Sequence, residues 1–204
     1  MRRAGGFKLI LAILAIFCGV GLATIWGAGQ RDRAPSELIA MDFEPKLELT
    51  GSDGKKISNL DWLGRHVLVY FGFTYCPDVC PTDLQRLSDA LAALPPGARQ
   101  NWVVAFVTVD PERDTPKIMQ SYLKNFDASI IGLSGSVDAV AKIQKNYRVF
   151  AAKQPLAEKG DYTINHTALF YILDPAGRPL GVIRPQIAPV RLAQVMTDLS
   201  QASK

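Results

Sequence analysis

Tyr70-Phe71-Gly72-Phe73-Thr74-Tyr75-Cys76-Pro77-Asp78-Val79-Cys80-Pro81 carries an apolar strand into a helix and leaves two thiols at the joint. Val67 to Phe73 is almost continuously apolar, the pattern of a strand covered on both faces. Pro81-Thr82-Asp83-Leu84-Gln85-Arg86-Leu87 through Leu94 reads as the following helix. Pro81 suits a first turn, where its missing N–H costs nothing, and Pro95-Pro96-Gly97 ends the run. Cys76 and Cys80 are four residues apart. On a helical or near-helical turn their Cβ atoms lie about 5–6 Å apart on one face. Both sulfurs can then reach one metal, and modest rearrangement lets them bond to each other. The helix N-terminus favours a thiolate. A thiolate is the better ligand and the better nucleophile, so thiol acidity alone leaves both roles open.

The same alternation continues outward. Leu47-Glu48-Leu49-Thr50 and the turn Gly51-Ser52-Asp53-Gly54-Lys55 predict a short hairpin. Trp102 to Val109 is a second buried strand. Asp114 or Thr115 caps a helix with Pro116 at its first position, running to about Asn125. Ile130 to Leu133 is a short strand, Ser136 to Tyr147 a helix, and Thr167 to Leu173 a third long strand. Asp174-Pro175-Ala176-Gly177-Arg178 turns that strand into Leu180-Gly181-Val182-Ile183, and Pro189 to about Ser200 is a closing helix. The fold class is α/β: a central sheet flanked by helices, in the thioredoxin-like arrangement. Ala151 to Asn165 shows no periodicity and contains Pro155 and Gly160. It reads as a long, mobile loop that lets His166, at its end, join or leave a metal.

Three features favour a metal over a simple redox pair. The spacing has three intervening residues, not the two of common disulfide oxidoreductases. His166 stands just before the third long strand, which lies beside the first in a thioredoxin-like sheet. No proline stands at that strand's entrance, where thioredoxin-type oxidoreductases place a cis-proline. Two thiolates and an imidazole form a sulfur-rich set that suits Cu(I), and Cys/His sets also take Cu(II). Zinc normally wants a fourth ligand, and only Asp78 offers itself. His66 enters the first strand at the far end and reads as structural. A thiol–disulfide reductase using Cys76 and Cys80, and a peroxidase or redox sensor, remain as rival readings.

Phe71 to Pro81, then Val107-Thr108-Val109-Asp110-Pro111-Glu112-Arg113-Asp114-Thr115-Pro116, then Tyr162-Thr163-Ile164-Asn165-His166-Thr167 closely resemble the Sco/SenC family over about residues 42–200. The resemblance implies a membrane-tethered, thioredoxin-like copper protein that helps assemble the CuA centre of cytochrome c oxidase subunit II. It implies Cys76, Cys80 and His166 as copper ligands, with Cys76 and Cys80 also able to form a redox-active disulfide. Asn165 stands where many members have Asp. Asp78, between the thiols, is a candidate for tuning them or touching a partner. Asp110 and Arg113 read as turn and cap residues. A copper donor and a thiol reductant are the further partners such a protein needs. Metallochaperone work requires no covalent substrate chemistry; thiol–disulfide exchange would be the one enzymatic alternative.

The first 30 residues set the location. Residues 9–29 carry no charge, and 21 helical residues at about 1.5 Å each cover about 30 Å, a bilayer core. Arg2, Arg3 and Lys8 precede them, so the positive-inside rule keeps the N-terminus in the cytoplasm and exports the rest. The expected layout is a cytoplasmic N-terminus over 1–8, a single-pass anchor in the inner (cytoplasmic) membrane over 9–29, a linker over 30–45, and a periplasmic domain over 46–204. A cleaved signal peptide, with a weak exit near Ala28, and a lipoprotein cysteine at Cys18 are the alternatives. Arg2, Arg3 and Lys8 are the only charges in residues 1–30, so without them the formal charge falls from +4 to +1. No basic patch with interleaved aromatics appears, which argues against nucleic acid.

Overall fold

The computed structural model describes residues 35–156 and 161–202. The anchor expected over residues 9–29, including Cys18, lies outside them. Among the described residues no helix is long and apolar enough to cross a membrane.

The hairpin is β1 (Glu48–Gly51) and β2 (Lys56–Ser58). Strand β3 (His66–Gly72) follows and is buried along its whole length. Helix α1 (Val79–Ala92) leads to β4 (Trp102–Thr108), also buried throughout. Helix α2 (Pro116–Leu123) starts at Thr115, whose side chain accepts from the Ile118 N–H, with Pro116 in the first turn. Strand β5 (Ile130–Ser134), helix α3 (Val137–Asn146) and strands β6 (Ala151–Pro155) and β7 (Tyr162–His166) come next. Strands β8 (Phe170–Leu173) and β9 (Pro179–Ile183) and helix α4 (Pro189–Ala202) complete the domain.

Seven strands form one sheet in the order β2-β1-β5-β4-β3-β8-β9. β3 pairs parallel with β4 and antiparallel with β8, so it sits near the middle. This is why its residues are apolar on both faces. On one face Tyr70 packs against Phe106 and Phe170, and Phe106 against Tyr122 of α2. On the other, Phe71 and Tyr171 meet Tyr147, just past α3, and Phe43. The central sheet flanked by helices, read from the alternation, is what the chain builds.

Three expectations need correction. The segment 151–165 is not an aperiodic loop: β6 and β7 pair antiparallel as a separate two-stranded ribbon, with Ala151 opposite His166. The ribbon escapes periodicity because among its residues only Ile164 is fully buried. The third long strand starts at Phe170 rather than Thr167, and His166 ends β7 instead of leading directly into β8. The domain begins by Pro35, not residue 46. Ile39 exchanges both backbone hydrogen bonds with Val182 of β9 at 2.8 and 2.9 Å, and Phe43 is buried.

Candidate metal centre

The thiols sit where β3 ends. The Gly72 carbonyl accepts from Val109 N–H at 2.8 Å, which keeps the tips of β3 and β4 together. Beyond it the chain is held by Asp114, fully buried. The Asp114 carboxylate accepts from Thr74 N–H at 3.0 Å, Thr74 Oγ1 at 2.5 Å and Thr108 Oγ1 at 2.6 Å. Burial pushes its carboxyl up, and these three donors act against that shift. A tight turn follows, with Cys76 N–H donating to the Phe73 carbonyl at 3.3 Å, and α1 begins at Val79.

Cys76 is half-buried and Cys80 buried. The Cys80 backbone N–H, in the first turn of α1, donates to Cys76 Sγ at 3.4 Å. The Cys80 thiol, the His166 ring and the backbone amides of Cys80 and Asp78 together hold the Cys76 thiol well below its usual range, at about 3, although burial acts to raise it. Cys80 moves the opposite way, raised by its hydrogen bond to Cys76 and by burial. Cys76 is therefore the more acidic sulfur of the pair.

His166 comes from the far end of the ribbon. β8 runs antiparallel to β3, pairing Phe170 with Tyr70, so the chain just before β8 arrives where β3 stops. His166 Nε2 lies 3.4 Å from Cys80 Sγ. Its Nδ1 lies 3.1 Å from the Thr167 carbonyl oxygen. A carbonyl only accepts, so the Nδ1–H donates to Thr167 and the ring is turned with Nε2 toward the sulfurs. Metal–sulfur and metal–nitrogen bonds of about 2.3 and 2.0 Å would leave the two ligand atoms about 3.5 Å apart at a tetrahedral angle and about 3.7 Å apart in a trigonal set. Cys80 and His166 stand slightly closer than either, so a small opening would admit an ion. Among the described residues no three His, Cys, Asp or Glu side chains form a closed cage; the Cys76 sulfur rests on the Cys80 amide instead.

Asp78 occupies the N-cap position of α1 but makes no side-chain capping hydrogen bond, and it is exposed. It acts on Cys76 through its backbone N–H. His66 is remote, buried at the other end of β3 and stacked on Trp102 at 4.9 Å.

Other residues belong to the site although their sequence positions looked structural. Gly72 leaves room: a Cβ there would stand 2.9 Å from Cys80 Sγ and 2.7 Å from Phe106 Cε2. Tyr70 donates to Asp83 Oδ2 at 2.9 Å, and Arg86 donates to Asp83 Oδ1 at 2.9 Å. A carboxylate at position 83, on the apolar stripe Cys80-Leu84-Leu87 of α1, was the available signal. Phe73 is buried and meets the His166 ring edge-on at 5.8 Å.

A sequence model of the SCO1/SenC family matches residues 35–201. The chain is 33% identical over 184 residues to the mitochondrial SCO2 homolog of Danio rerio, which covers 85% of this chain and 66% of that protein. It thus spans about two thirds of that relative's length. Bradyrhizobium japonicum ScoI with copper bound superposes with a TM-score of 0.72 at 39% identity, covering 78% of this chain and 99% of that one. BsSco, described as a member of the Sco family of cytochrome c oxidase assembly proteins, shares the fold with a TM-score of 0.64 at 24% identity, covering 81% of this chain and 96% of that one. With its domain matched almost end to end and a copper-bound protein among its structural neighbours, this chain belongs to the SCO1/SenC family.

Proposed function

We propose that the chain is a copper metallochaperone that binds one ion through Cys76, Cys80 and His166 and delivers it to the CuA site of cytochrome c oxidase subunit II. The observation that carries this reading is the His166 imidazole. It is pinned at Nδ1 and turns its Nε2 to a cysteine sulfur 3.4 Å away. Copper is the cargo. Cys76, the more accessible and more acidic sulfur, meets it first; Cys80 loses its proton on binding; His166 closes the set. Release runs in reverse, an acceptor thiolate displacing His166 or a cysteine before the remaining ligands let go. Because binding needs deprotonated ligands, it weakens at low pH. Asp78 stands exposed beside the thiols, suited to contact the acceptor.

The acidic Cys76 beside a protonated Cys80 also supports thiol–disulfide exchange. Cys76 S⁻ attacks a partner disulfide and forms a mixed disulfide. Cys80, having given up its proton, then attacks Cys76 Sγ, and the partner leaves as a dithiol. The Cys76–Cys80 disulfide so formed is the copper-free, oxidised state, and a separate reductant must reopen it. In this reading residues 9–29 anchor the protein in the inner membrane and the domain works in the periplasm.

Anaerobic copper titration of the full chain tests the proposal. Cu(II) should give a sulfur-to-copper charge-transfer band that Cys76→Ser abolishes, and His166→Ala should bind at least tenfold more weakly while still exchanging disulfides. Equal copper affinity in His166→Ala overturns the three-ligand site.

A further inference from the structure

We propose that Arg113 is a positioning residue for the copper site: it locks the ribbon that carries His166 onto the loop that carries Cys76. The inference rests on the copper-ligand reading above and adds what holds that geometry. The ribbon shares no strand ladder with the main sheet, so side chains must dock it.

Three pieces of chain meet at the Arg113 guanidinium. From the ribbon, the Tyr162 ring centre lies 3.7 Å away, and Nη1 donates to the Tyr162 carbonyl at 3.0 Å. From the cysteine loop come the rings of Tyr75 at 4.8 Å and Phe73 at 6.0 Å. From its own turn, Asp110 Oδ2 accepts from Nε at 2.5 Å. Asp110 is almost fully buried, and its other oxygen accepts from the Tyr162 hydroxyl at 2.8 Å. Arg113, Asp110 and Tyr162 thus close a ring of contacts. Lys153 of β6 lies 4.5 Å from the Tyr162 ring and pairs with Glu112 at 2.6 Å, a second and exposed attachment of the ribbon to the same turn.

The consequence for His166 follows from strand geometry. Residues i, i+2 and i+4 share one face, so Tyr162, Ile164 and His166 point the same way. Tyr162 and His166 are about 13 Å apart along β7. A ribbon tilt of about 5–10° at the Tyr162 end would move the imidazole by roughly 1–2 Å, far outside the about 0.2 Å tolerance of a metal ligand. Only a planar guanidinium can stack on aromatic rings while donating in its plane to a carboxylate and a backbone carbonyl, so Lys is a poor substitute.

The test uses the full chain with Arg113→Gln, Arg113→Lys and Tyr162→Phe. In the reduced, metal-free protein, the nuclear Overhauser contact between the Phe73 and His166 rings should be lost in Arg113→Gln and kept in the parent. With copper, Arg113→Gln should bind about 10–100-fold more weakly and lose the imidazole nitrogen coupling in the Cu(II) EPR spectrum. It should keep the sulfur charge-transfer band. Adding Arg113→Gln to His166→Ala should cost nothing further. Arg113→Lys and Tyr162→Phe should show the same changes in weaker form, and they decide the matter if Arg113→Gln does not fold. An unchanged ring contact and unchanged affinity, or an additive loss in the double variant, overturns the proposal. If the parent itself binds no copper through these residues, the functional reading fails, and the metal-free ring contact still decides the role of Arg113.

Discussion

Gly72→Ala adds one methyl group at the floor of the thiol site. The residue lies in a regular strand, so the backbone accepts alanine, and only space decides the outcome. The new Cβ would stand 2.7 Å from Phe106 Cε2 and 2.9 Å from Cys80 Sγ. Both distances are well inside the roughly 3.5–4.0 Å of favourable carbon contact. Neither neighbour can move into open space: Phe106 and Cys80 are fully buried, and Phe106 is wedged between Tyr70 and Tyr122. Overpacking of this kind costs about 1–3 kcal/mol. For a domain of this size that lowers Tm by about 2–12 °C. The softest escape is rotation of Cys80, which carries its sulfur away from His166 Nε2. We therefore expect Gly72→Ala to lower Tm and also to weaken copper binding by at least tenfold, while Cys76 keeps its alkylation rate to within a few-fold. Calorimetry, anaerobic copper titration and iodoacetamide kinetics on one preparation give all three numbers. A variant with parental Tm and parental copper affinity would refute the packing argument.

Asp114→Ala strands three donors at the root of the cysteine loop and should cost about 1–3 kcal/mol, with faster hydrogen exchange at the Thr74 amide. Asp114→Asn should retain most of that stability, because one carbonyl oxygen remains and the Thr74 hydroxyl can turn to accept; equal losses in the two variants would count against this network. Cys76 has a folded pKa of about 3, below its usual 9. The thiolate persists down to about pH 3, whereas the stability it lends is greatest above pH 9 and is lost progressively as pH falls from about 9 to about 3. Alkylation of Cys76 in reduced, metal-free protein should change less than about threefold from pH 8 to pH 5, where an ordinary thiol slows about tenfold per unit; the ordinary slope would show that the helix start does not hold a thiolate. Phe43→Ala should destabilise the domain by about 3–5 kcal/mol in urea unfolding, and a neutral result would return residues 35–45 to the status of a tether.

Much of the thiol joint could be read directly. Val67 to Phe73 has to be a central strand because nothing polar interrupts it, and β3 is buried from His66 to Gly72. Cys76, Cys80 and His166 could be joined because strand order alone brings the chain before β8 to the end of β3. The ribbon could not be read. Its docking relies on one tyrosine over one arginine, and a single aromatic contact leaves no period in the sequence. Asp114 read only as a helix-cap candidate and Asp83 only as part of a helix, since burial of a carboxylate depends on neighbours 40 and 13 positions away. Phe43 was misplaced for the same reason: its partners Tyr147 and Tyr171 are far along the chain.

The place of β8 beside β3 also sets a clock. Cys80 and His166 are 86 positions apart, and at about 5–20 residues per second of synthesis the imidazole trails the thiols by roughly 4–17 s. Throughout that interval β3 lacks its antiparallel neighbour, and the two sulfurs emerge without the nitrogen that would cover them. The newborn chain therefore presents a bare dithiol before the three side chains can meet as one site.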